Sequence, residues 1–146
     1  MPALVHSLQN HDLGNLRLIA GLWGLGLNSN DVDSAREELA TSLLNPKLTT
    51  ELIASLSSDL RTALSALVNA GGRLPLAAFV RQYGEIREMG AGRRDREHPH
   101  LKPASITEAL FYRGLLARAF FDTIQGPQEF IYIPDDLLVL INDIRR

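Results

Sequence analysis

The residues best equipped for chemistry lie in the stretch GEIREMGAGRRDREHPHLKPAS, residues 84–105. It supplies Arg87, Arg93, Arg94, Arg96 and Lys102, a pair of glycines around Ala91, and His98 and His100 separated by one proline. Guanidinium and ammonium groups at this density can meet phosphate oxygens, and Arg118 adds a sixth cation a little further on. A phosphate cradle needs more: glycine N–H groups aimed from a helix amino terminus, with the lysine and hydroxyl of G-x-x-x-x-G-K-[ST]. GAGRRD lacks that pair and opens no helix that the sequence signals, so nucleotide binding is not expected. In extended chain His98 and His100 could face one way, with Asp95 or Glu97 adding an oxygen, but zinc requires further ligands and His6 and His11 are far away in sequence. The pattern predicts a surface histidine pair and no metal.

Catalytic arrangements are no better supported. No serine stands in a G-x-S-x-G elbow, and the serines fall where helices are predicted to start, a position that capping explains. The carboxylate pairs Glu37–Glu38 and Asp135–Asp136 are adjacent on predicted helices, so their side chains diverge. With no cysteine there can be no disulfide, thiolate–zinc site or cysteine nucleophile. A non-enzymatic chain without a cofactor is expected.

The elements that must position the basic stretch are mostly helical. Apolar residues at Leu16, Ile19, Ala20 and Trp23 predict a helix capped by Asp12 and ended near Gly24. Ala35, Leu39 and Leu43 predict a second, with Pro46 as its stop, and Leu48, Leu52 and Leu56 a short third. Leu60, Leu64, Leu67 and Val68 then form one helical face that ends at Gly71. The residues RLP read as a short extended piece, with Pro75 suited to the first turn of the next helix, which carries Phe79, Val80 and Tyr83 inward and closes at Gly84. After the basic stretch, predicted to be a long loop, SITE at Ser105–Glu108 has the spacing of a capping box for a helix that runs to about Arg113. Beyond Gly114 the pattern turns aromatic and β-branched, which predicts a hairpin around QGPQ and then a last helix opened by Asp135 and Asp136.

The expected fold is therefore mainly α with a small β-hairpin wing: a winged helix-turn-helix over residues 57–146, preceded by a short helical unit over residues 1–56. At 146 residues the chain can bury an ordinary core. It has no apolar run near the roughly 20 residues that span a bilayer and no signal-peptide pattern at its start, so a cytoplasmic location is expected. The net charge of −2 hides an uneven distribution. Residues 1–72 carry four basic and seven acidic side chains, residues 73–118 nine and five, and residues 119–146 two and five. A basic middle within an acidic chain describes a patch or simply a solvated loop, not a coat for nucleic acid.

The segments GGRLPLAAFVRQYGEIREMGAGRR, SITEALFYRGLLARAF and FIYIPDDLL resemble the winged-helix regions of bacterial helicase-associated proteins, a group allied to XPB-type DNA-repair helicases. The leucine-rich helices before them are similar to the helical unit that often precedes that region. The resemblance implies a DNA-binding or helicase-accessory module. Because the chain has no Walker A or DEAH-like sequence, any motor would be elsewhere.

Within that expectation the third helix of the winged region is an unusual reader. Ile106, Ala109 and Leu110 form its inner face, which leaves Thr107, Glu108, Phe111 and Tyr112 for the remainder, whereas base edges are normally read by Arg, Lys, Asn or Gln. A helix apolar nearly all round is normally covered. DNA contact is therefore expected from Arg87, Arg93, Arg94, Arg96, Lys102 and Arg118, on duplex or single strands with low sequence specificity. The alternative is a winged helix that binds protein, whether a helicase or a second copy of the chain.

Overall fold

Five helices begin on a side-chain oxygen that accepts the N–H three residues further on. These are Asp12 to Asn15 at 2.7 Å, Asp31 to Ser34 at 2.9 Å, Asn45 to Leu48 at 3.1 Å, Ser57 to Leu60 at 3.4 Å and Ser105 to Glu108 at 3.0 Å. In the computed structural model, which describes residues 1–145, the order opens with α1 (Leu4–Ser7), a 3-10 turn (Leu8–Asn10), α2 (Leu13–Leu22), α3 (Val32–Leu43), α4 (Pro46–Ser55) and α5 (Ser58–Asn69). It continues with β1 (Arg73–Pro75), α6 (Leu76–Tyr83), α7 (Ala91–Glu97), α8 (Ile106–Phe111), β2 (Ala117–Thr123), β3 (Gly126–Tyr132) and α9 (Asp135–Ile144). The architecture is mainly helical with one three-stranded antiparallel sheet of order β1-β3-β2. Arg73, Leu74 and Pro75 face Tyr132, Ile131 and Phe130, while Ala117 to Thr123 run against Tyr132 to Gly126.

Several boundaries differ from the sequence reading, each for a local reason. Pro46 not only follows α3 but opens α4, where its missing N–H costs nothing. Pro75 stays in the edge strand and α6 starts one residue later. The hairpin turns on Ile124 and Gln125, because Thr123 pairs with Gly126; the Gly-Pro that suggested a turn lies in the first residues of β3. The hydroxyl of Thr123 holds this turn, donating to the Gly126 carbonyl at 2.7 Å.

The largest departure is α7, inside what the sequence presents as a loop. Gly90 stands at its amino terminus in extended backbone, and His98 ends it in the left-handed region at φ 51°. Ala91, Arg93, Arg94, Arg96 and Glu97 supply helix propensity against Gly92 and Asp95, and Arg93 pairs with Glu97 one turn on.

Two glycines are required by geometry. Gly84 has φ 95°, and a Cβ there would overlap the Cβ of Ser105, which is how α6 and the start of α8 come together. Gly114 has φ 74° and lies against Ile19 and Leu43; α8 ends just before it, at Phe111, and the chain turns into β2.

One cluster of buried side chains crosses the Leu56–Ser57 junction. Leu16, Ile19, Leu39 and Leu43 from the first half join Leu64, Leu67, Phe79, Leu110, Ile131 and Leu137 from the second. Polar ties cross as well: the Leu4 N–H donates to Asp136 at 2.9 Å, the Trp23 indole N–H to the Arg113 carbonyl at 2.8 Å, and Ser7 meets the Tyr132 hydroxyl at 2.9 Å. Among the described residues no helix is long and apolar enough to cross a membrane.

Candidate nucleic-acid interface

Helix α8, expected from the sequence to be the third helix of a winged region, is buried. Thr107, Glu108, Ala109, Leu110 and Tyr112 are all shielded, and Phe111 is half-buried beside His11, ring centroids 5.3 Å apart. The reason lies in Glu108, whose side chain is fully covered. The expected reciprocal capping box is only half made, since Ser105 accepts the Glu108 N–H but the carboxylate does not return to the serine N–H. It takes instead the Ala104 N–H at 3.0 Å, the Arg87 N–H at 2.8 Å and the Arg87 guanidinium at 2.6 to 3.1 Å. Burial acts to raise the Glu108 carboxyl, but these donors prevail and hold it below its ordinary range.

Arg87 is thereby committed inside. Its Nη2 also donates to the Lys102 carbonyl at 3.1 Å, so it braces the segment 84–105 against α8. Arg94 is committed in the same way. From α7 it reaches Asp12, the cap of α2, at 2.6 Å and Asp95 at 3.2 Å, and it is only 8% exposed. It passes so close to Gly14 that a Cβ there would lie 2.5 Å from Nη2. These two arginines hold the fold of the segment and offer little to a phosphate.

Of the other four cations Arg93, Arg96 and Lys102 are exposed and Arg118 is half-buried. Glu88 gathers two of them: Arg118 of β2 donates to its carboxylate at 3.0 Å and Arg93 of α7 to its carbonyl at 3.5 Å. Arg96 is exposed one helical turn from Arg93, and Lys102 is exposed in the turn that follows α7. Among the described residues neither Arg96 nor Lys102 meets a carboxylate within ion-pair distance, whereas Arg93 is tied to Glu97 and Arg118 to Glu88. Such exposed pairs contribute about 0–1 kcal/mol, so a phosphate can displace them. Asp95, Glu97 and Glu88 stand on the same segment and dilute its field.

Several residues beside the interface escape a reading from sequence. His11 and Asn15 join Arg94, Tyr112 and Arg118 in a cleft of about 200 Å³ between the N-terminal helices and the start of β2. Burial pushes the His11 imidazole down to about 4, against the smaller pull of Asp12, so it is neutral at pH 7. Nothing local flagged it, because the contact joins residues about a hundred positions apart. In the sheet, Arg73 of β1 lies over the rings of Phe121 of β2 and Phe130 of β3 at 4.9 and 4.8 Å.

His98 and His100 stand 6.0 Å apart, the first exposed and the second half-buried. Among the described residues no three His, Cys, Asp or Glu side chains are grouped as metal ligands. No known protein family, curated protein or solved structure matches the chain.

Proposed function

We propose that the chain is a non-enzymatic winged-helix module that binds DNA through the sugar-phosphate backbone, as an accessory to a helicase or another DNA transaction. The order α5, β1, α6, α8, β2, β3, with the sheet ordered β1-β3-β2, fits a helix-turn-helix carrying a wing. The observation that carries the DNA reading is the grouping of Arg93, Arg96, Lys102 and Arg118 on the outside of α7, its following turn and the wing, while α8 is covered. A surface of this kind touches phosphates and leaves base edges unread, so sequence specificity is low.

The second reading, a winged helix that docks on protein, draws on the same wing. Phe120 is 67% exposed and Ile124 at the hairpin tip is fully exposed, and an apolar tip suits a protein groove better than a phosphate backbone.

Titration of labelled duplex and single-stranded DNA at two salt concentrations separates the readings. With up to four phosphates neutralised, log affinity falls against log salt with a slope of about 2–4. Binding that is lost in the Arg93→Ala/Arg96→Ala/Lys102→Ala variant supports the DNA reading. No binding at low salt transfers the function to a protein partner, and sedimentation then shows whether that partner is a second copy.

A further inference from the structure

Five arginines are buried or half-buried among the described residues: Arg36, Arg87, Arg94, Arg113 and Arg118. Four of them face a carboxylate, Asp33, Glu108, Asp12 and Glu88 respectively, at 2.6 to 3.0 Å. Arg113 is the exception. Its recorded hydrogen bond runs from Nη1 to the Ala109 carbonyl at 2.9 Å, and no described carboxylate lies within ion-pair distance. Burial alone acts on its ionisation, pulling it down from the ordinary arginine value with no anion to oppose the shift. A guanidinium cannot escape by losing its proton, so shielding it without a counter-ion is costly.

Arg113 lines a cleft of about 510 Å³ that lies between the first turn of α5, α8 and the connection around residues 100–105. That volume falls in the range of small-molecule sites, roughly 300–1,000 Å³. Leu60, Ile106 and Ala109 give it an apolar wall, and Leu101, 65% exposed, stands at its rim. Two other ionisable groups share the cleft. His100 is lowered by burial first and then by His98 and Arg94, so it is neutral at pH 7 and adds no positive charge. Asp59 is exposed and stays solvated. The one cation can pair with a single carboxylate, and with Asp59 close by nothing is left to offset a second negative charge.

We propose that this cleft is a binding site for a small monocarboxylate with a short apolar tail, the carboxylate on the Arg113 guanidinium and the tail against Leu60 and Ile106. Both carboxylate oxygens can accept from the planar fork, as both oxygens of Glu108 do from Arg87. The site is separate from the arginine surface of α7 and the wing and does not depend on DNA binding.

The test is a two-dimensional NMR titration of the 146-residue chain with 4-methylpentanoate and, in parallel, the uncharged 4-methylpentanamide. The acid is expected to move the Arg113 Nε–Hε signal and the backbone amides of Leu101 and Ile106 with a saturable dependence. The amide should bind at least about tenfold more weakly, and Arg113→Gln should abolish the response to the acid. Equal effects of acid and amide overturn the proposal, as does an absence of shifts at those three positions up to about 50 mM acid. Because the acid and amide are compared on the unaltered chain, the result holds even if Arg113→Gln is poorly folded.

Discussion

His11 sits neutral in a covered site, and that has a consequence for stability against pH. Its folded value of about 4 lies below the ordinary 6.5, so the unfolded chain takes up a proton while the folded chain still refuses it. Stability is therefore unaffected above pH 6.5 and falls as the pH drops from 6.5 toward 4, by on the order of 3 kcal/mol over the full interval. Denaturant unfolding at pH 7 and pH 5 checks this, and His11→Gln should remove most of the difference. Glu108 works with the same sign by another route. Its carboxyl is lower in the folded chain than its ordinary 4.5, so the Arg87 pairing stabilises fully above 4.5 and is lost as the pH falls through the depressed folded value. Arg87→Ala leaves that buried carboxylate without its main partner; it should lower the melting temperature at pH 7 by about 5–10 °C and lessen the loss on acidification. Arg96→Ala, on the exposed side of α7, should change it by less than about 1 °C.

At the scale of elements, α7 is the part that determines what the basic stretch can do. It is held by a buried arginine on α2's cap, so Gly14 and Arg94 form one contact. Gly14→Ala places a methyl against the guanidinium and should cost about 1–3 kcal/mol, with faster proteolysis confined to residues 84–105. Arg94→Met, which frees the exposed Asp12 to solvent, should give the same proteolytic pattern; a uniform loss of protection across the chain would contradict the contact. The helices with apolar faces were legible in the sequence because Asp12 and Ser105 announce two of their starts and the leucines repeat at helical spacing, whereas Asn45 went unread as the cap of α4 because Pro46 looked like a stop. The hairpin was legible from its aromatic and β-branched residues, though Gly126-Pro127 displaced the expected turn. α7 was not legible, since its inward residue is an arginine, which no hydrophobic period reveals, and its hold depends on Asp12, eighty-two positions away. Glu108 was misjudged for the same reason. Its capping-box partner is local, while the partner it takes instead, Arg87, comes from another segment.

At the scale of the molecule, six cations marked by the sequence divide into two kinds. Arg87 and Arg94 build the platform, and Arg93, Arg96, Lys102 and Arg118 stand on it facing outward. This division lets a chain of net charge −2 keep four of these six cations at its surface. It also assigns α8 to packing, so recognition of a particular base sequence has no place in the account. The measurement that bears most directly on it is the salt dependence of duplex affinity for the unaltered chain and for Arg93→Gln/Arg96→Gln, on two duplexes of equal length and unrelated sequence. The account predicts equal affinities for the two duplexes and a slope smaller by about 2 in the variant. An unchanged slope, or a preference of more than about tenfold for one duplex, would contradict it.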